Sequence, residues 1–210
     1  MKRSAAVVLA ACVCAAAALT ACDNHSGVAA SVAGQTITER QVDSYLTGHA
    51  PDASAVAQLG GSPRSAALGQ VVQERVFEQA LTKTEGGLPS DSALAAVHDD
   101  ALQLFGESTT GGDYDAALLS SVQKFGLNSN FRDAVLRSLE LEYAYIQRTG
   151  VASPADLATS IQKLSIPVTV SGRYGAWDPQ QLTVVSKGAA GAPSFVKLGE
   201  IPSLSPTPSS

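Results

Sequence analysis

Apolar residues recur three and four positions apart through the middle of the chain, and the stretches that break this period lie towards its two ends. From Arg64 to Glu85 the positions Leu68, Val71, Val72, Val76, Phe77, Ala80 and Leu81 predict a long amphipathic helix stopped by Gly86-Gly87. Pro89-Ser90-Asp91 opens a second helix, with Leu94, Val97, Ala101, Leu104 and Phe105 on one face and Gly106 at its end. After a polar loop from Glu107 to Gly112, a shorter helix carries Tyr114, Leu118, Val122 and Phe125 and ends at Gly126. The next, Ser129 to Thr149, is the most apolar: Phe131, Val135, Leu139, Tyr143 and Ile146 form one stripe, while Leu141 and Tyr145 turn to another side. That pattern predicts a helix buried on more than one side, the structural centre of the fold. The alternative is that Leu141 and Tyr145 face a groove for another polypeptide. Ser153-Pro154-Ala155-Asp156 then starts a last helix with a serine cap, proline in the first turn and a carboxylate at the positive end; Leu157, Ile161 and Leu164 are its apolar residues.

Towards the ends the period shortens to two. Val28 to Ala33 predicts a short strand and Gly34-Gln35 a turn; Thr36-Ile37-Thr38 leads into a helix with Thr38 as its cap. Val42, Tyr45 and Leu46 are the apolar residues of that helix, which is expected to run to about His49-Ala50-Pro51. A loop rich in Ala, Gly, Ser and Pro follows as far as Pro63. Late in the chain Val168-Thr169-Val170 alternates as a strand does. It is followed by a turn-rich aromatic stretch, Ser171 to Pro179, and by Leu182-Thr183-Val184-Val185. A strand must satisfy its backbone groups in a partner. The simplest closure pairs Val28–Ala33 with Val168–Val170 across the helices. The fold class expected is therefore mostly α, a helical body over 30–185 closed by a short β pairing between its two ends, with a mobile Gly/Ala/Pro/Ser-rich tail over 186–210.

The first residues decide what is left to fold. Lys2 and Arg3 precede a charge-free run, Ser4 to Leu19, dominated by Ala and Val, and small residues follow. This is the layout of a secretory signal over 1–21, at the short end of what a bilayer span needs. Leu19-Thr20-Ala21-Cys22 looks like a bacterial lipobox, which implies cleavage before Cys22 and lipidation of its thiol; the alternative is ordinary cleavage nearby with Cys22 left free. Residues 22–29 then form a tether to the cell membrane on its extracytoplasmic face. Cys12 and Cys14 lie in the discarded leader, so no thiol remains for an intrachain disulfide and the fold must stand on its core.

Loss of Lys2 and Arg3 makes the formal charge two units more negative than the −5 of the whole chain, which argues against nucleic acid and against adhesion to anionic lipid. Aromatic residues make up 5 %, too few for an extended aromatic sugar-binding groove. His25, His49 and His98 share no metal-ligand spacing, and His98-Asp99-Asp100 reads as a solvated helix face. There is no Gly-x-Ser-x-Gly elbow, and the Gly-Gly pairs lack the lysine and helix of a phosphate loop. No catalytic residue, cofactor or metal is expected. The distinctive cluster is Arg173, Tyr174, Trp177 and Asp178, read either as the closure of the strand pair or as a contact for another polypeptide.

Three motifs in this order carry a resemblance. They are the lipobox, Val32-Ala33-Gly34-Gln35-Thr36-Ile37-Thr38 turning into a helix, and the segment from Val168 to Asp178 with Arg173-Tyr174-Gly175-Ala176-Trp177-Asp178. Together they resemble the N-terminal domain of SurA-like extracytoplasmic chaperones, in the stand-alone lipoprotein form, over most of Ala30 to Val185. Family members often have Asn-Pro where this chain has Ser171-Gly172. The resemblance implies a lipid-anchored protein with chaperone-like binding of unfolded or exported polypeptides, with Phe77, Phe105, Phe131, Leu141, Tyr143, Tyr145 and Trp177 as candidate client contacts and Gly34, Arg173, Tyr174, Gly175, Trp177 and Asp178 as structural turn residues. Many members add a parvulin prolyl isomerase domain. Here the last helix runs directly into the return strand and parvulin signatures are absent, so isomerase activity is not expected. The alternatives of other classes are an envelope assembly lipoprotein with one dedicated partner, or an isomerase-related enzyme. A broad apolar groove points to the chaperone, a compact patch with a charged rim to the dedicated partner, and a narrow polar pocket to the enzyme.

Overall fold

The computed structural model describes residues 27–54, 62–105 and 114–185. The expected leader, Cys22, the expected tail over 186–210 and residues 55–61 and 106–113 lie outside the described residues.

Strand β1, Val28–Val32, turns tightly into β2, Gln35–Thr38. The turn residues are Ala33 and Gly34, both at positive φ (49° and 82°), the backbone shape whose twist suits a two-residue hairpin. This corrects the expected turn at Gly34-Gln35 followed by a helical approach: Thr36-Ile37-Thr38 is strand, because alternation buries Ile37 while its neighbours face solvent. β1 also includes Val28 and Ala29, the last two residues of the expected tether.

The late strand β3, Val168–Val170, pairs antiparallel with β1 in the register Ala30↔Val170, Ser31↔Thr169, Val32↔Val168, giving the sheet order β2-β1-β3. The ladder is extended by Ala33 N–H to Pro167 O (2.8 Å) and Ser171 N–H to Ala29 O (2.9 Å). The two ends of the domain are thus neighbours, as the alternating segments required. A separate hairpin pairs β4, Ala176–Asp178, with β5, Thr183–Val185. β4 lies inside the turn-rich aromatic stretch, where no strand was expected. Its return is organised by the Asp178 carboxylate, which accepts from the backbone N–H groups of Gln180 and Gln181.

Helix α1, Glu39–Asp43, is capped by Thr38, whose hydroxyl accepts from Gln41 N–H at 3.2 Å. It is shorter than expected and stops at Ser44, because the next residues are claimed by another part of the chain. Leu46 bridges Leu127, Thr47 N–H reaches Gly126 O, and Asn128 N–H reaches Tyr45 O. Gly126 is required there: it sits at φ 75°, and a Cβ would meet Pro51 at 3.2 Å.

α2, Pro63–Lys83, is capped by Ser62 and followed by Gly86 and Gly87, both at positive φ. The single helix expected after it is two, α3 (Asp91–Ala95) and α4 (His98–Phe105), with the break at Ala96-Val97 where Val97 N–H turns back to Leu94 O. Leu94 and Ala101 anchor the two pieces separately in the core. α5 covers Tyr114–Lys124, α6 Ser129–Thr149 and α7 Pro154–Lys163. α6 is capped by the Asn128 side chain at one end and by Gly150 in the left-handed conformation at the other.

α2 and α6 form the principal pair and run in the same direction. Gln70 Nε2 reaches Ala134 O, Phe77 packs edge-on against Tyr145, and Arg148 donates to Gly87 O. Both carry their apolar residues inward. Phe77, Phe131, Leu139, Leu141, Tyr145 and Ile146 are at most 1 % exposed, each contributing roughly 1.5–3 kcal/mol of burial. Leu157 and Ile161 of α7 and Val184 of β5 join the same core.

Candidate functional site

Two constructions stand out, one holding the ends of the domain together and one opening a cleft. The first gathers the late polar cluster. Tyr174 is buried and its hydroxyl donates to the Glu39 carboxylate at the start of α1. Arg173 Nη2 lies 2.9 Å from the other Glu39 oxygen, an ionic contact without hydrogen-bond alignment, and also reaches Val28 O at 3.4 Å. Its guanidinium stands over the Tyr174 ring, 5.7 Å from the centroid. Burial first, then the bond to Glu39 and its charge, push the Tyr174 hydroxyl up to about 12. Tyr174 N–H closes onto Ser171 O at 2.9 Å, so the turn forms without the proline that the resemblance leads one to expect. Gly175 takes φ 121° before β4, and Trp177 lies half-buried against the core. Gly34, Arg173, Tyr174, Gly175, Trp177 and Asp178 all sit in the turns and strands of the two β units.

The second construction is an open cleft of about 390 Å³ lined by Ser44, Tyr45, Glu74, Asn130, Asp133, Ala134 and Arg137. The residues just after α1, the middle of α2 and the first half of α6 meet there. Arg137 is its hub: Nε lies 3.3 Å from Glu74, Nη2 3.5 Å from Glu78 and Nη1 3.0 Å from Asp91. Glu78 also holds Arg75 at 2.6 Å. Burial, and secondarily the Glu78 charge, raise the Glu74 pKa against the pull of Arg75 and Arg137. Burial works against the charge on Arg137, yet its bond to Asp91 and the three carboxylates together raise its pKa. Tyr45 is raised by burial and then by Glu74. The cleft therefore presents a fixed guanidinium and carboxylate pair beside an aromatic ring, with Asp133 exposed at the rim and paired to Arg132. Such a surface recognises charged and polar groups by position.

The candidate client contacts are not brought together on a surface. Phe77, Phe131 and Leu141 are fully buried and Tyr145 is 1 % exposed. The Tyr145 hydroxyl bonds to Ser160 Oγ at 2.7 Å, which corrects the alternative that Leu141 and Tyr145 face a groove. In this packing none of the four can touch another polypeptide. Tyr143 is partly exposed, its hydroxyl 3.5 Å from Asp100, and Trp177 is half-buried in β4. Phe105 ends α4, and its side chain lies outside the described groups.

The His98 face is more than solvated. His98 Nδ1 lies within hydrogen-bonding distance of Glu140 on α6, at 2.8 Å. Nε2 lies 4.0 Å from Asp115 on α5. Among the described residues no group of three or more His, Cys, Asp or Glu is placed to hold a metal ion, and no helix among them is long and apolar enough to cross a membrane. The cleft escapes a reading of the sequence because Glu74 and Arg137 each look like ordinary charged positions on helix flanks. Only the parallel docking of α2 on α6 brings them together.

What the coordinates define is a mostly helical domain with a small antiparallel sheet. No family model matches the chain, and neither a curated protein nor a solved structure matches it.

Proposed function

We propose that this chain is a lipid-anchored extracytoplasmic protein that binds polypeptide without turning it over, and that it serves a dedicated partner through the cleft around Arg137. The anchor rests on Leu19-Thr20-Ala21-Cys22, where two acyl chains at about 0.8 kcal/mol per buried methylene give stable attachment. One observation favours a dedicated partner over a general chaperone: the cleft is polar and charged, while among the described residues the one large exposed hydrophobic side chain is Leu88. A general chaperone gains by covering apolar surface at roughly 25 cal/mol per Å². A surface of placed charges gains selectivity instead, since a wrong partner leaves Glu74 or Arg137 opposite an unmatched group.

The second reading, a SurA-like chaperone cradle, draws support from the head-to-tail strand pairing over a helical body. One experiment separates the two. Asp133→Lys changes the sign at the exposed rim of the cleft without touching the core. On the leading reading it abolishes in-cell crosslinking to a defined partner, and the wild type leaves aggregation of an unrelated unfolded substrate unchanged. Suppression of that aggregation at several-fold excess, indifferent to Asp133→Lys, would establish the chaperone. Membrane fractionation of Cys22→Ser tests the anchor independently: the variant should move to the soluble extracytoplasmic fraction.

A further inference from the structure

Near the middle of the core helix α6 lie two polar side chains that the fold leaves without partners. Ser138 and Glu142 are each 1 % exposed, and among the described residues Ser138 Oγ and both Glu142 oxygens find no hydrogen-bond partner. They are one turn apart on the helix. At about 100° per residue both point along the centre of the buried face, in line with Phe131 and Val135 behind and Tyr145 and Ile146 ahead.

The charged and titratable groups on the elements packed against α6 are paired with groups other than Glu142 or lie partly or fully in solvent. From α2, Glu74 and Glu78 turn to Arg137, and Arg75 turns to Glu78. From α3, Asp91 also reaches Arg137. From α4, His98 turns to Glu140, Asp100 reaches Tyr143 and Asp99 is exposed. From α5, Asp115 faces His98, Tyr114 is half-buried and Lys124 is exposed. On α6 itself, the Tyr145 hydroxyl is taken by Ser160 of α7.

We propose that Glu142, one turn from the unpartnered Ser138, is a proton-operated latch in the helical core, shut while its carboxyl is protonated and loosened when it ionises. A neutral acid can remain in an apolar setting at modest cost, whereas a bare carboxylate there, with no counter-charge, cannot. Burial alone pushes the Glu142 pKa up to about 8, from an ordinary value of 4.5. Since the folded value is raised, the folded chain binds the extra proton between those two limits. Stability is therefore fully present below pH 4.5, declines as pH rises towards 8 and levels off above it. Around and above pH 8 the cheapest relief is local: α6 separates from its neighbours enough for water to reach the carboxylate. The apolar residues beside Glu142 on α6 are Leu141 and Tyr145, so the loosened form displays apolar surface that the closed form hides.

The test uses the mature chain from residue 22 carrying Cys22→Ser, which lacks both leader and lipid and needs no detergent, with two readouts across pH 5 to 9.5: the urea midpoint by circular dichroism, and fluorescence of an apolar-surface dye. The urea midpoint should fall as pH rises to 8 and then flatten, while dye fluorescence rises several-fold at pH 8 and above. Glu142→Gln, which keeps the shape and removes the titration, should show neither change, and Glu142→Leu should raise the midpoint at every pH above 5. Glu74→Gln, removing the other buried acid with a raised pKa, should leave the dye transition in place. A wild type with flat dye fluorescence, or a Glu142→Gln protein that keeps the wild-type transition, overturns the latch. Should Glu142→Leu not fold, the comparison of wild type with Glu142→Gln decides alone.

Discussion

At the scale of single residues the fold is held by groups whose roles depend on who sits opposite them. Tyr174 is the clearest: its hydroxyl is the donor for one Glu39 oxygen, and Arg173 supplies charge to the other. Tyr174→Phe keeps the ring packing and removes that donor, leaving a partly buried carboxylate oxygen unsatisfied. A loss of about 1–3 kcal/mol in urea unfolding at pH 7 is expected. Arg173→Ala should cost less, because Arg173 is exposed and its ion pair is screened by solvent. Glu142 works in the opposite direction. With a folded pKa of about 8 against an ordinary 4.5, the carboxyl makes the protein roughly 4–5 kcal/mol less stable above pH 8 than below pH 4.5, which the slope of unfolding free energy against pH will show. The sequence marks Arg173 and Tyr174 as a distinctive cluster, but neither their partner Glu39 nor the burial of Glu142 was legible in it. Tyr174 and Glu39 are far apart along the chain, and a glutamate within a helical charge pattern reads as solvent-facing until the packing is known.

At the scale of elements, legibility follows the range of the interaction that fixes each one. Caps at Thr38, Ser62, Ser90, Asn128 and Ser153 each bond to the third residue beyond, so the starts of five helices are written locally. The bounds and central place of α6 follow from its apolar period and from Gly150. β2 and β4 were hidden because three or four residues carry little periodicity, and the break between α3 and α4 because Ala96-Val97 contains no helix breaker. α1 was overestimated because the competitor for Tyr45 and Leu46 is the distant segment Gly126–Asn128. The centrality of α6 makes a quantitative prediction. Phe131 is fully buried and packs edge-on against Tyr45, so Phe131→Ala should cost about 3–5 kcal/mol, read as a lowered urea midpoint with little change in slope. A loss below 1 kcal/mol would mean that α6 is not the centre of the core.

At the scale of the whole molecule, everything depends on the two ends of the domain lying side by side, since β1 and β3 sit on opposite sides of the entire helical body in sequence. That arrangement was legible because two short alternating segments, one early and one late, had no nearer partner. Its register was not, because a shift of one residue changes which side chains face inward only for three short pairs. Ser31 and Thr169 are directly opposite, and Thr169 faces solvent, so cysteines can replace both without disturbing the core. The spacing of opposed residues in an antiparallel pair falls within the range a disulfide spans. In a Cys22→Ser background, Ser31→Cys with Thr169→Cys should oxidise to an intramolecular bond, seen as faster migration on a non-reducing gel. Closing so long a loop should raise stability by up to about 4–5 kcal/mol, which reductant then removes. The same pair moved by one residue, Ser31→Cys with Val170→Cys, places the second thiol on the opposite face of β3 and should oxidise poorly. Equal crosslinking by both pairs would mean that the strands slide, and with them the geometry by which Arg173 and Tyr174 meet Glu39. If the first pair alone closes, the register is fixed, and the helices between the ends are held at a constant span around α6.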